Sequence, residues 1–164
     1  AALLATGEIV MVNWGAGLFI LSRFLDHFDG ELARQQGSTS KFGYYLDYVS
    51  GGISYAALFI GIGVGLAGTL GVWAIILSAV GAASALISMF SNMAIDKYRD
   101  GAVTIDAIGY PGFAGFELED GIYILGPVTW AGWLLPFFVA AGIGASVYCL
   151  WTIFTHLKHA AGGR

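Results

Sequence analysis

Five apolar stretches, at residues 2–24, 43–69, 71–95, 121–135 and 137–157, leave this chain little choice of fold. A helix needs roughly 20 predominantly apolar residues to cross the hydrocarbon core of a bilayer. The first three stretches exceed that length and the fifth just reaches it, while the fourth is marginal because Pro127 and Pro136 interrupt or bound it. A kinked or short span is expected there, with the freed backbone groups satisfied by neighbouring helices. Only 11% of the 164 residues are charged, against about a quarter in an ordinary soluble domain. The expected fold is therefore all-α, a polytopic transmembrane helix bundle with five spans. The second and third stretches, and the fourth and fifth, follow each other almost without a connection, which predicts helical hairpins. No linker, repeat or low-complexity tract divides the chain, so residues 1–164 read as one membrane domain. Its 25 glycines follow no fibrous period and suit helices whose backbones approach closely.

The charges give a direction. Arg23 stands at the very end of the first stretch with Arg34 and Lys41 in the connection after it, Lys97 and Arg99 follow the third, and Lys158 and Arg164 the fifth. If the stretches alternate across the bilayer, all seven basic residues share one side. The positive-inside rule makes that side the cytoplasm. The expected setting is thus an integral membrane protein, of a bacterial inner membrane, with its C-terminus inside and residue 1 outside. The chain opens Ala1-Ala2-Leu3-Leu4, without Met or a basic flank, which argues against a signal peptide. A further span upstream of Ala1 is expected.

Two polar connections face the predicted cytoplasmic side, residues 25–42 and 96–120. The first carries Asp26 and Asp29, three apart and so on one face if the helix continues. Gly30, Ala33 and Arg34 fall on or beside that face, and on the next helix Gly43 and Asp47, four apart, share another. Three carboxylates and three small residues thereby converge between neighbouring helices at the membrane edge. Carboxylates suit hard divalent cations, which take oxygen ligands, and the small residues leave room for a bulky anion. Ionisable groups this close to hydrocarbon are costly and functional by default.

This arrangement resembles the signature of the CDP-alcohol phosphotransferases, D-x-x-D-G-x-x-A-R-x8-G-x-x-x-D-x-x-x-D. The chain matches at Asp26, Asp29, Gly30, Ala33, Arg34, Gly43 and Asp47, with the eight-residue spacing kept. Family members usually have six spans with the motif between the second and third, so the five stretches would be the second to sixth. The resemblance implies that Asp26, Asp29 and Asp47 bind divalent ions, magnesium or manganese, that hold the diphosphate of a CDP-linked alcohol or lipid. Gly30, Ala33, Arg34 and Gly43 would receive the nucleotide. An acceptor hydroxyl would attack phosphorus, releasing CMP and forming a phosphodiester lipid or a related product. The partners implied are the CDP-linked donor, membrane lipids, and a homodimer or a larger membrane assembly, with no nucleic acid.

The chain departs from the signature at its last aspartate, where it has Gly51, followed by Gly52. In the family this acid is the proposed general base for the acceptor hydroxyl and helps hold the metals. Loss of a positioned general base costs a factor of about 10² to 10⁴ in rate. Three remaining carboxylates facing two divalent ions hold the second ion weakly. Tyr48 and Ser50 are poor substitutes, since an ordinary hydroxyl is a weak base at neutral pH. Two readings follow: a slow phosphotransferase of phospholipid synthesis, or a catalytically silent relative serving as a structural or lipid-binding subunit.

Other features have plainer explanations. His27 occupies a variable position of the signature, and Cys149 lies in an apolar stretch as a buried thiol. His156 and His159 read as part of an interfacial basic tail. Glu8 snorkels or packs, and the five tryptophans anchor or fill the bundle. Gly61-x-x-x-Gly65 offers close helix packing, a pattern common in membrane helices. Residues 96–120, rich in glycine, read as an irregular loop that covers the site or serves as a docking surface.

Overall fold

The computed structural model describes residues 1–37, 40–98 and 118–162; among these every regular element is a helix. A short helix α1 (Ala2–Ala5) precedes α2 (Ile9–Gln35), and α3 (Lys41–Gly65) follows. After one turn of α4 (Ala67–Leu70) come α5 (Val72–Tyr98), a 3-10 helix (Leu118–Ile124), α6 (Leu125–Trp130) and α7 (Leu134–Gly162). Among the described residues four helices are long and apolar enough to cross a membrane: Ile9–Gly30, Phe42–Gly65, Val72–Ile95 and Leu134–Lys158. The all-α polytopic bundle is thus what the chain forms.

Of the five predicted stretches, the fourth is the one that forms no candidate span among the described residues. Residues 121–135 divide between the 3-10 helix, α6 and a turn at Gly132, whose φ is +77°. Pro127 and Pro136 sit third in α6 and α7. A first-turn proline has no intrahelical bond to lose, so each proline begins a helix without breaking one. Leu77 lies beside Gly142, and Asn92 bonds Tyr148, so α5 and α7 run in the same direction. The chain therefore returns across the bundle between Tyr98 and Leu134, and the described part of that return is the 3-10 helix and α6. The second predicted hairpin, between the fourth and fifth stretches, is correspondingly a short α6 turning into α7.

The first stretch is not one helix. Thr6 and Gly7 break it: Thr6 Oγ1 donates to Leu3 C=O at 2.8 Å, and Gly7 adopts φ +68°. α1 then folds against the far end of α3. A Cβ on Gly61 would come within 2.6 Å of the Ala1 carbonyl oxygen, and one on Gly65 would collide with the Leu4 carbonyl oxygen. The Gly61-x-x-x-Gly65 face is thus filled from within the chain. Gly63, on another face of the same helix, lies against Ala74 and Ser78 of α5, and Ser78 Oγ donates to Phe59 C=O at 3.0 Å. Lipid tails are as apolar as leucine, so this close packing and hydrogen bonding hold the bundle, with little help from apolar burial. Leu4, Ile62, Leu125 and Phe138 are the large apolar side chains most fully enclosed.

α2 stands apart. It packs on α1 and α6, where Trp130 Nε1 donates to Asn13 C=O at 3.3 Å beside Gly17. It also stays helical to Gln35, although residues 25–42 read as a polar connection. Hydropathy tracks where lipid ends, and helical hydrogen bonding continues past that point. Gly37, with φ +62°, closes the helix end, as left-handed glycines commonly do. Ser40 opens α3 by accepting the Gly43 N–H at 3.0 Å, satisfying one of the donors left over at a helix start.

Candidate functional site

Because α2 continues, Asp26 and Asp29 lie one turn apart on a single helix face, and they line an open cleft of about 450 Å³ between α2 and α3. Leu18, Leu21 and Leu25 line its apolar part, and Ser22, Arg23, Ser50 and Ser54 add the remaining polar groups. The two helices meet across the cleft at Tyr55. Its ring packs on Phe19, with centroids 6.4 Å apart, and lies under the Arg23 guanidinium at 5.4 Å. Arg23 Nη1 also donates to Asp26 Oδ2 at 2.7 Å, and the arginine side chain is only 16% exposed.

Asp47 stands on α3 outside the lining of this cleft, with its backbone carbonyl accepting from Ser50 Oγ at 3.0 Å. Gly43 lies in the first turn of α3, exposed, and Gly30 is half-buried on α2. Ala33 and Arg34 belong to the last turns of α2, but their side chains lie outside the described residues. The structure thus brings Asp26 and Asp29 to the cleft and leaves Asp47 on the adjoining helix. Among the described residues no group of three His, Cys, Asp or Glu side chains is assembled. The donors at hand are carboxylates and hydroxyls, which is the chemistry of hard divalent ions. The loop reading of residues 96–120 falls largely outside the described residues.

Gly51 and Gly52 differ sharply. A Cβ on Gly52 would run into the Met89 side chain, whereas one on Gly51 would meet nothing within 4 Å. Gly51 shares a helix face with Asp47, four residues before it, and Ser54, three after it. A Cβ there has room on the face that carries Asp47 outside the cleft lining and Ser54 within it.

Sequence reading assigns no role to Arg23, which it places at the end of the first stretch. The structure puts it inside the first membrane-crossing helix, one turn before Asp26. The available signal was the i, i+3 spacing to Asp26 together with the membrane cost of an unpaired charge. Tyr55 carried no comparable signal, because only the crossing of α2 over α3 brings it to Arg23.

Four membrane-crossing helices with a carboxylate-lined cleft at one end define an integral membrane helix-bundle protein. The CDP-alcohol phosphatidyltransferase family model matches residues 1–137, which takes in α1 through the start of α7. The chain belongs to the CDP-alcohol phosphatidyltransferase family. No curated protein and no solved structure matches it significantly.

Proposed function

We propose that this chain transfers a phosphoalcohol or phosphatidyl group from a CDP-linked donor to an acceptor hydroxyl, slowly for its family, in phospholipid synthesis. The observation that carries this reading is the family match over residues 1–137 together with the cleft that Asp26 and Asp29 share. In the reaction the acceptor oxygen forms a new bond to the donor phosphorus, the bond from that phosphorus to the CMP oxygen breaks, and the hydroxyl proton passes to solvent. Asp26, Asp29 and Asp47 would hold magnesium or manganese, which supplies neutralising charge to the phosphoryl group and leaving group. Gly30, Ala33 and Gly43 let the nucleotide approach the backbone, with Arg34 beside them. The cluster of basic residues at the motif end supports a cytoplasmic site.

Gly51 favours a second reading, a silent relative that serves as a subunit of a larger membrane assembly. With no carboxylate there, the hydroxyl proton has no positioned acceptor. Release of CMP from a CDP-linked lipid, followed with and without Mg²⁺ or Mn²⁺, separates the two. Metal-dependent release by the native chain, abolished in Asp47→Ala, supports the transferase and removes the silent reading. No release over an acceptor panel, with release appearing only in Gly51→Asp, overturns the transferase.

A further inference from the structure

Tyr55 of α3 meets two residues of α2 that lie one turn apart. Its ring packs on Phe19, with centroids 6.4 Å apart, and lies under the Arg23 guanidinium at 5.4 Å. Arg23 in turn donates to Asp26 Oδ2 at 2.7 Å. These contacts run from a neutral aromatic ring on α3, through a cation, to the first carboxylate of the motif. An aromatic face attracts a cation, more strongly where water is excluded, and the Arg23 side chain is only 16% exposed.

Their place in the fold matters. The first half of α2 is held by α1 and α6, through contacts such as that of Trp130 Nε1 with the Asn13 carbonyl. The motif half carries Asp26 and Asp29 along the open cleft, and Phe19 and Arg23 join α2 to α3 at the Tyr55 ring. A charge inside a membrane-crossing helix is costly and marks function. The bond from Arg23 to Asp26 is made through Oδ2, and a carboxylate has a second oxygen to offer a metal ion. Groups that hydrogen-bond a metal-binding side chain fix its orientation, and their loss costs about 10- to 100-fold in metal affinity.

We propose that Arg23 and Tyr55 are positioning residues for the divalent-ion site. Arg23 orients the Asp26 carboxylate, and Tyr55, which does not line the cleft, holds Arg23 at the α2–α3 crossing. Both roles rest on the donor-site reading above and lie outside the aspartate signature. A guanidinium also repels a divalent ion, so charge and positioning pull in opposite directions. By charge alone, loss of Arg23 would tighten the ion, and a change at the uncharged Tyr55 would do nothing. By positioning, both changes loosen it.

The test uses the full chain in phosphatidylcholine nanodiscs, with Mn²⁺ affinity read by electron paramagnetic resonance of the free ion against empty discs. The native chain is compared with Arg23→Gln, Tyr55→Phe, Tyr55→Leu and Gly65→Val. Mn²⁺ should bind about 10- to 100-fold more weakly in Arg23→Gln. In Tyr55→Leu it should bind about 2- to 30-fold more weakly, the worth of a cation–π contact. Tyr55→Phe keeps the ring and should bind as the native chain does. Gly65→Val disturbs packing at the far end of α3 and should lose stability while keeping its Mn²⁺ affinity. Unchanged or tighter binding in Arg23→Gln, native affinity in Tyr55→Leu, or an equal loss in Gly65→Val overturns the proposal and leaves the donor site standing. A native chain that binds no Mn²⁺, with or without CDP, overturns the donor-site reading and the proposal with it. Where Tyr55→Leu does not fold, the direction of change in Arg23→Gln decides.

Discussion

The two ends of α3 use glycine for opposite ends. At the far end Gly61, Gly63 and Gly65 each bring a neighbouring backbone or side chain to a distance that a Cβ would forbid. At the motif end Gly51 is itself buried, yet a Cβ added there would meet nothing within 4 Å. Glycine inside a helix is entropically unfavourable, and at the far end close packing offsets that cost. At Gly51 no packing does. Crowding at the Cβ position therefore does not explain the missing aspartate. The same contrast holds for α2, which α1 and α6 tie down over its first half while its motif half opens onto the cleft.

Substitutions can break this comparison. Gly65→Val, which drives a branched side chain into the Leu4 carbonyl, should cost about 1–3 kcal/mol, the usual range for overpacking. Denaturation in detergent should show that loss, and α1 should become accessible to labelling at its first residues. Tolerance at Gly65 would mean that α1 does not seat there. Gly52→Ala should cost less, about 1 kcal/mol, because the obstructing Met89 is an adaptable thioether side chain.

Gly51→Ala should reverse the sign, stabilising by about 0.5–1 kcal/mol as a helix-interior glycine is replaced in open space. Destabilisation of the same size would show a hidden neighbour and refute the claim that the position is vacant. Smallest is Tyr148→Phe, which leaves the buried Asn92 side chain without its 2.9 Å bond. Interhelical polar contacts in membranes average about 0.6 kcal/mol, and melting curves should shift by no more than that implies.

Much of this architecture was legible in the sequence. Long apolar stretches locate α3, α5 and α7 nearly to their ends, since few alternatives exist for apolar segments in lipid. The short turn at Gly71, with φ +58°, makes the α3–α5 hairpin that the missing connection predicts. The break at Thr6-Gly7 was not legible, because hydropathy averaged over 2–24 runs through it. That break depends on a left-handed glycine whose Cβ would stand 2.8 Å from the Gly65 carbonyl oxygen, a tertiary contact.

The site was legible in its parts more than in its arrangement. Spacing puts Asp26 and Asp29 on one face, and α2 does carry them so. Spacing does not say which α3 side chains border the cleft: Ser50 and Ser54 line it and Asp47 does not. Arg23 escaped because a charge near the end of an apolar stretch looks like the end of a span. In the structure the helix continues past it, and Arg23 bonds Asp26 and lies over the Tyr55 ring.

The central claim is that the motif end is a working donor site lacking one carboxylate at Gly51. The most direct measurement is the rate of metal-dependent CMP release by Gly51→Asp relative to the native chain, at matched donor and acceptor. Restoring a positioned base should raise the rate by about 10² to 10⁴, with the gain lost when Asp47→Ala is added. Equal or lower rates for Gly51→Asp, in a chain that still folds, would contradict the account.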